Sequence, residues 1–168
     1  GYELSLFNSN SEYTVLFSVN LGAIAYANGD LDRSTHFFLQ AYAANKDSKI
    51  VNKTLNNNLA SSLIDDGRYE RALEFLQEAE ADKITSPESY EEYLLYINYA
   101  GALQLLEMHN EVNKNFLRLN DSLIPADLKP HYYTVVLRQF EYLGWDGIES
   151  FMRVNAQHFS KNFNDQLT

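Results

Sequence analysis

The chain has 168 residues, 45% of them hydrophobic and 14% aromatic, which is core material for one compact domain or one short array. Thirteen basic against 23 acidic residues give a net charge of −10, and acid clusters such as Glu74, Glu78, Glu80 and Asp82 argue against a nucleic-acid partner, since they repel a phosphate backbone. Zero cysteines removes disulfides, zinc-thiolate sites and thiol catalysis, although it leaves the compartment open, and no apolar run approaches the ~20 residues of a membrane span.

Apolar period and caps predict an all-α chain of three to four successive helix pairs. The first pair runs over 12–27 and 31–44, the second over 48–65 and 69–81, the third over 87–106 and 110–122, and the fourth over 127–143 and 145–159. Ahead of the first helix, Leu4, Leu6 and Phe7 either close the end of the array or belong to an upstream repeat, and Gly1 in place of Met reads as the start of an excised fragment or a processed product. Pro87 and Pro125 are expected in first helical turns, where a missing N–H costs nothing. Residues 82–86 and 123–130 are the longer loops, and no low-complexity tract or linker divides the chain, so 1–168 is expected to be a single array.

The pairs repeat one another. Asn20-Leu21-Gly22 is echoed at Asn58-Leu59-Ala60 and at Asn98-Tyr99-Ala100, offsets of 38 and 40 residues. Counting from Gly22, Ala60 and Ala100, a second position twelve residues on holds Ser34, Ala72 and Val112; a third, sixteen on, holds Phe38, Leu76 and Phe116; a fourth, nineteen on, holds Ala41, Ala79 and Leu119. Seven residues on stand Gly29 and Gly67, where a helix end needs a left-handed residue, and then Glu107. Small residues let helices approach closely while Phe or Leu fills the space between them, and repeated units must stack to bury a continuous core.

These residues carry a resemblance. Asn20-Leu21-Gly22, Tyr26, Gly29-Asp30, Phe38 and Ala41, repeated as Asn58-Leu59-Ala60, Gly67, Tyr69, Ala72 and Ala79, resemble the tetratricopeptide (TPR) motif. A third unit, about 93–123, is degenerate, with Glu107, Tyr99, Val112 and Leu119 replacing expected residues, and a fourth is suggested by Tyr133, Phe140, Gly144, Trp145, Ile148, Phe151 and Met152. The repeats then span approximately 15–48, 53–82, 93–123 and 130–159. The resemblance implies an α-solenoid of stacked antiparallel helix pairs wound into a right-handed superhelix, with the first helices lining a concave surface that binds protein segments.

Catalytic patterns are lacking. His36, His109, His131 and His158 lie far apart with no partner in a metal-helix pattern, Asp65 and Asp66 point in different directions as helix neighbours, and neither a phosphate-cradling glycine loop nor a G-x-S-x-G turn occurs. The expectation is therefore a non-enzyme with no cofactor and no metal. Asn20, Asn58 and Asn98 occupy one place in three consecutive first helices. Either they form a row that grips a peptide main chain, as the resemblance suggests and as a carboxamide suits, or they bond neighbouring backbone or water.

Around them on the same face stand Leu16, Ala23 and Ala27; Thr54, Ser61 and Asp65; and Leu94, Gly101 and Leu105. The candidate peptide-binding residues are thus Asn20, Asn57, Asn58, Ser61, Asp65, Asn98 and Gly101. The lining holds no base, and Val19 and Ala23 stand where the carboxylate-clamp class of the family has Lys and Asn, so the expected partner is a protein or peptide with a neutral or basic extended segment. Tyr90, Tyr93, Tyr96 and Tyr99 recur every three residues, so at least one leaves the core face, and Trp145 is expected to seal the end of the array. An interaction module is the leading function, either scaffold or sensory part. A structural array that self-associates or stacks on further repeats through its ends, with Leu4, Leu6 and Phe7 at one and Phe159 and Phe163 at the other, is the alternative, and the non-catalytic part of an enzyme or signalling protein a remote one.

Overall fold

The recurring small and space-filling positions that the structure describes are buried: Gly22, Ala60 and Ala100, then Ser34, Ala72 and Val112, Phe38 and Leu76, and Ala41 and Ala79. The structure is a computed structural model, and it describes residues 2–45, 52–84, 86–115 and 123–155, with side chains from residue 12 onward except 114–115, 151–152 and 154–155, so Phe116, Leu119, Phe159, Phe163, His158 and the side chains of Leu4, Leu6, Phe7, Phe151 and Met152 lie outside the described residues. Among them all regular structure is helical: α1 Tyr2–Ala27, α2 Leu31–Asn45, α3 Lys53–Asp65, α4 Tyr69–Glu78, a 3-10 turn Ala81–Lys83, α5 Tyr90–Leu105, α6 His109–Asn115 and α7 Lys129–Asn155.

Two compact units result, Gly1–Glu80 and Ala81–Thr168. In the first, α1 packs on α2, α2 on α3, α3 on α4, and α1 on α3. In the second, α5 packs on the 3-10 turn, on α6 and on α7, and α6 packs on α7. Small residues set the closest approach: a Cβ built on Gly22 of α1 would stand 2.7 Å from two ring carbons of Phe38 in α2. At the equivalent positions of the next repeat stand Ala60 and the smaller Leu76, both fully buried.

Three turns share one hydrogen-bond pattern. After α1 the Asp30 N–H donates to Ala25 O at 2.9 Å, after α3 the Arg68 N–H donates to Leu63 O at 2.8 Å, and after α5 the Met108 N–H donates to Leu103 O at 2.8 Å. Gly29, Gly67 and Glu107 hold the left-handed conformation inside them, with φ of 75°, 77° and 59°. The third turn is therefore kept although its glycine is replaced, at the steric cost that a Cβ meets in that region.

Several predicted boundaries move for local reasons. Helix α1 begins at Tyr2, ten residues before the expected start. Helix α3 begins at Lys53 because the extended Asn52 caps it, its side chain accepting from the Leu55 N–H. Helix α4 ends at Glu78, since Glu80 turns left-handed at φ 63° and hands the chain to the 3-10 turn. Ser89 caps α5 by accepting from the Glu92 N–H, which leaves Pro87 ahead of the helix. Pro125 also precedes its helix, and Pro130 is the proline in the first turn of α7. Within α7, Gly144 at φ 65° and ψ 177° breaks the helix where the two members of the fourth pair were expected to meet.

Candidate functional site

The exposed edge of α1 follows from its spacing: Leu16, Asn20, Ala23 and Ala27 fall on one side of the helix and are all exposed. Helix α3, packed beside α1, offers exposed Thr54, half-buried Asn58 and Ser61, and exposed Asp65 at the matching positions. At one end of this strip lies an open pocket of about 400 Å³. Val15, Leu16 and Val19 of α1, Ala44 and Asn45 of α2, and Asn52, Thr54 and Leu55 at the head of α3 form its walls, with Glu12 as the charged residue. It suits an apolar side chain, and a base beside that side chain would meet Glu12.

The candidate residues do not all reach this face. Asn57 is 5% exposed, because it sits one residue round the helix from Asn58 on the packed side, so it does not share the exposed face with Asn20. Ser61 Oγ donates to the Asn57 carbonyl at 3.0 Å. Asp65 is engaged, its carboxylate accepting from the Tyr26 hydroxyl at 2.5 Å. Asn98 and Gly101 belong to the second unit, on α5, where they are half-buried together with Leu94 and Leu105. A Cβ on Gly101 would meet nothing within 4 Å, so this glycine faces open space and helix packing does not require it.

Tyrosine hydroxyls donate to carboxylates roughly one repeat further along the chain. Tyr26 of α1 reaches Asp65 at the end of α3, Tyr42 of α2 reaches both oxygens of Glu78 at the end of α4 at 2.8 and 3.0 Å, and Tyr90 of α5 reaches Asp127 ahead of α7 at 2.9 Å. Burial, then the hydrogen bond and charge of Asp65, push the Tyr26 hydroxyl up to about 12. For Tyr42 and Tyr90 the hydrogen bond to Glu78 or Asp127 is the main cause of a rise above the ordinary tyrosine value. The signal was present in the sequence as separations of 39, 36 and 37 residues between partners, close to the repeat length.

Groups that could have carried chemistry are tied up locally. Asp66 pairs with Arg68 at 2.5 Å while Asp65 turns to Tyr26, so the adjacent carboxylates diverge. His36 bonds Gln40, and His131 is exposed. His109 opens α6, stacks on Tyr142 with ring centroids 3.7 Å apart, and bonds Gln139 Oε1 through Nδ1 at 3.1 Å. An amide oxygen only accepts, so Nδ1 carries the proton. Gln139 is fully buried and also accepts from Gln104 Nε2 at 3.1 Å, while its own nitrogen donates to His109 O at 3.1 Å and Asn113 Oδ1 at 2.8 Å. This amide cluster fastens α5, α6 and α7, and no residue spacing announced it.

Among the tyrosines of α5, Tyr90 leaves the core at 45% exposed while Tyr93, Tyr96 and Tyr99 stay buried. Trp145, directly after the break at Gly144, is 84% exposed instead of sealing an end; it borders an open pocket of about 450 Å³ with Leu137, Phe140 and Ile148. Among the described residues no group of three His, Asp or Glu side chains could hold a metal ion, and no helix is long and apolar enough to cross a membrane. No protein-family model, curated protein or solved structure matches the chain.

Proposed function

We propose that the chain is a protein-interaction module of the tetratricopeptide type, an α-solenoid of helix pairs that takes an extended peptide segment along its first helices. The observation that carries it is the recurrence of one turn, with its left-handed residue, at Gly29, Gly67 and Glu107, since helix pairs repeated at a fixed interval expose a row of equivalent side chains. In the first unit that row is Asn20 and Asn58, flanked by Leu16, Ala23 and Thr54 and ending at the apolar pocket. The client is a neutral or basic segment with an apolar side chain for the pocket, because Glu12 and Asp65 are the charged residues among those that line the pocket and the row. The carboxamides serve its main chain.

The experiment is selection from a displayed library of extended peptides, followed by titration of the selected peptide against wild type, Asn20→Ala, Asn58→Ala and Leu16→Glu. Each substitution is expected to weaken binding about tenfold or more, the size of one to two lost hydrogen bonds or one desolvated contact, with the unfolding midpoint unchanged. Equal binding by all four proteins, or selection of acidic peptides, overturns the reading.

A further inference from the structure

Helix α1 is built with its small side chains inside and its large ones outside. Ser18, Gly22 and Ala25 are buried, whereas Tyr13, Phe17 and Ile24 are 72, 66 and 59% exposed. At 100° per residue these three fall within an arc of about 40°, opposite the side on which Tyr26 meets Asp65 of α3. Leu16, 60% exposed, lies within the Asn20 row, and Asn20 itself stands next to this stripe. A helix that is apolar all round belongs in an interior, so the stripe asks for a cover.

Charge narrows what can supply it. The chain carries a net charge of −10, yet from Tyr13 to Ala27 no Asp, Glu, Lys or Arg occurs. Two copies repel wherever their carboxylates face each other, and this stripe is a surface on which they do not. A two-fold contact also requires a self-complementary patch, which aromatic and aliphatic groups provide and a row of like charges does not.

We infer that the stripe is a self-association surface, covered by α1 of a second copy of this chain in an antiparallel two-fold contact. A dyad near Asn20 sets Phe17 of each copy against Ile24 of the other. Four side chains about two thirds exposed offer roughly 400–500 Å² per copy, against the ~800 Å² of a standard interface, so the dimer is weak, with Kd in the micromolar range. The dyad lies at Asn20, about 20° from Tyr13 around the helix, so the contact covers part of the Asn20 row and a peptide bound there competes with it.

The test is sedimentation equilibrium between about 5 and 500 µM, which brackets the affinity of small interfaces. Wild type is expected to show a monomer–dimer equilibrium that tightens with added salt, because salt screens the repulsion between acidic copies. Phe17→Glu with Ile24→Glu is expected to weaken it about 100-fold, while helical circular dichroism and the unfolding midpoint stay the same, both positions being exposed. Mixing that variant with one carrying Phe17→Lys and Ile24→Lys is expected to restore a one-to-one heterodimer. Phe17→Ser is the milder variant should the charged pair fail to fold, and it is expected to weaken association about tenfold. A wild type that stays monomeric throughout, a dimer that survives the Glu pair or the Ser variant, or opposite-charge variants that ignore each other would each overturn it.

Discussion

Replacing Gly22 by alanine tests whether the recurring small positions set the helix spacing. The new Cβ would stand 2.7 Å from Phe38 Cδ1 and Cε1, and Phe38 is 2% exposed, so its ring has no open space to enter. Overpacking of this kind costs about 1–3 kcal/mol, while alanine gains ~1 kcal/mol in helix propensity, which leaves Gly22→Ala destabilised by about 1 kcal/mol. Phe38→Leu alone leaves a gap over Gly22 and costs about 1–2 kcal/mol, a fraction of the 3–5 of a full Phe→Ala truncation. Together the two changes place here the residue types found at the equivalent positions Ala60 and Leu76, both fully buried. The double variant is therefore expected within ~1 kcal/mol of wild type, a coupling of about 1.5–2 kcal/mol. Urea unfolding followed at 222 nm gives the four free energies, and thermal melts should shift by roughly 2–4 °C per kcal/mol for a chain this size. Additive effects, or a Gly22→Ala variant more stable than wild type, would show that the residue is not what limits the approach of α1 to α2.

Other expectations rest on separate features. Glu107→Gly should stabilise the chain by about 0.5–1 kcal/mol in urea unfolding, because glycine removes the left-handed penalty of φ 59°, whereas Gly29→Ala at φ 75° should cost about 1–2 kcal/mol. Gly101→Ala, with open space around its Cβ, should gain ~0.5–1 kcal/mol from helix propensity, and a drop in peptide affinity beside that gain would place the position in the groove. Gln139→Leu leaves His109 Nδ1, His109 O and Asn113 Oδ1 without their amide partner and should cost about 2–4 kcal/mol in a thermal melt. Tyr26 keeps its proton to about 12 in the folded chain and loses it near the ordinary tyrosine value once unfolded, so the stability it contributes is complete below that value and falls away as pH rises toward 12. Unfolding across that window should be less steeply pH-dependent in Tyr26→Phe, and an unchanged slope would mean that Tyr26 does not carry the linkage.

The residues legible in the sequence were those whose role repeats. Gly22, Ala60 and Ala100, or Phe38 and Leu76, announced themselves because each unit solves the same packing problem with a side chain of similar size, and periodicity reports such constraints directly. The helical class and the turns around Gly29 and Gly67 follow from the same source, as a left-handed helix end is a local demand that glycine meets. Asn57 shows where that reasoning stops. It stands beside Asn58 in the chain, yet 100° of helix rotation turns it inward, and only packed neighbours decide which of two adjacent polar residues meets solvent.

Partners brought together from distant positions were decided by the tertiary structure alone. Gln104, His109, Asn113 and Gln139 form a hydrogen-bonded cluster because α5, α6 and α7 converge there, and amide pairing depends on orientation that no spacing encodes. Trp145, directly after the break at Gly144, is exposed, against the burial that its size alone suggested. By itself the sequence determined the helical class, the interval between units and the small-against-large core, since each is repeated and local. The structure decided which apolar side chains were left over, above all the stripe on α1, because exposure is what remains after every other face has found its neighbour.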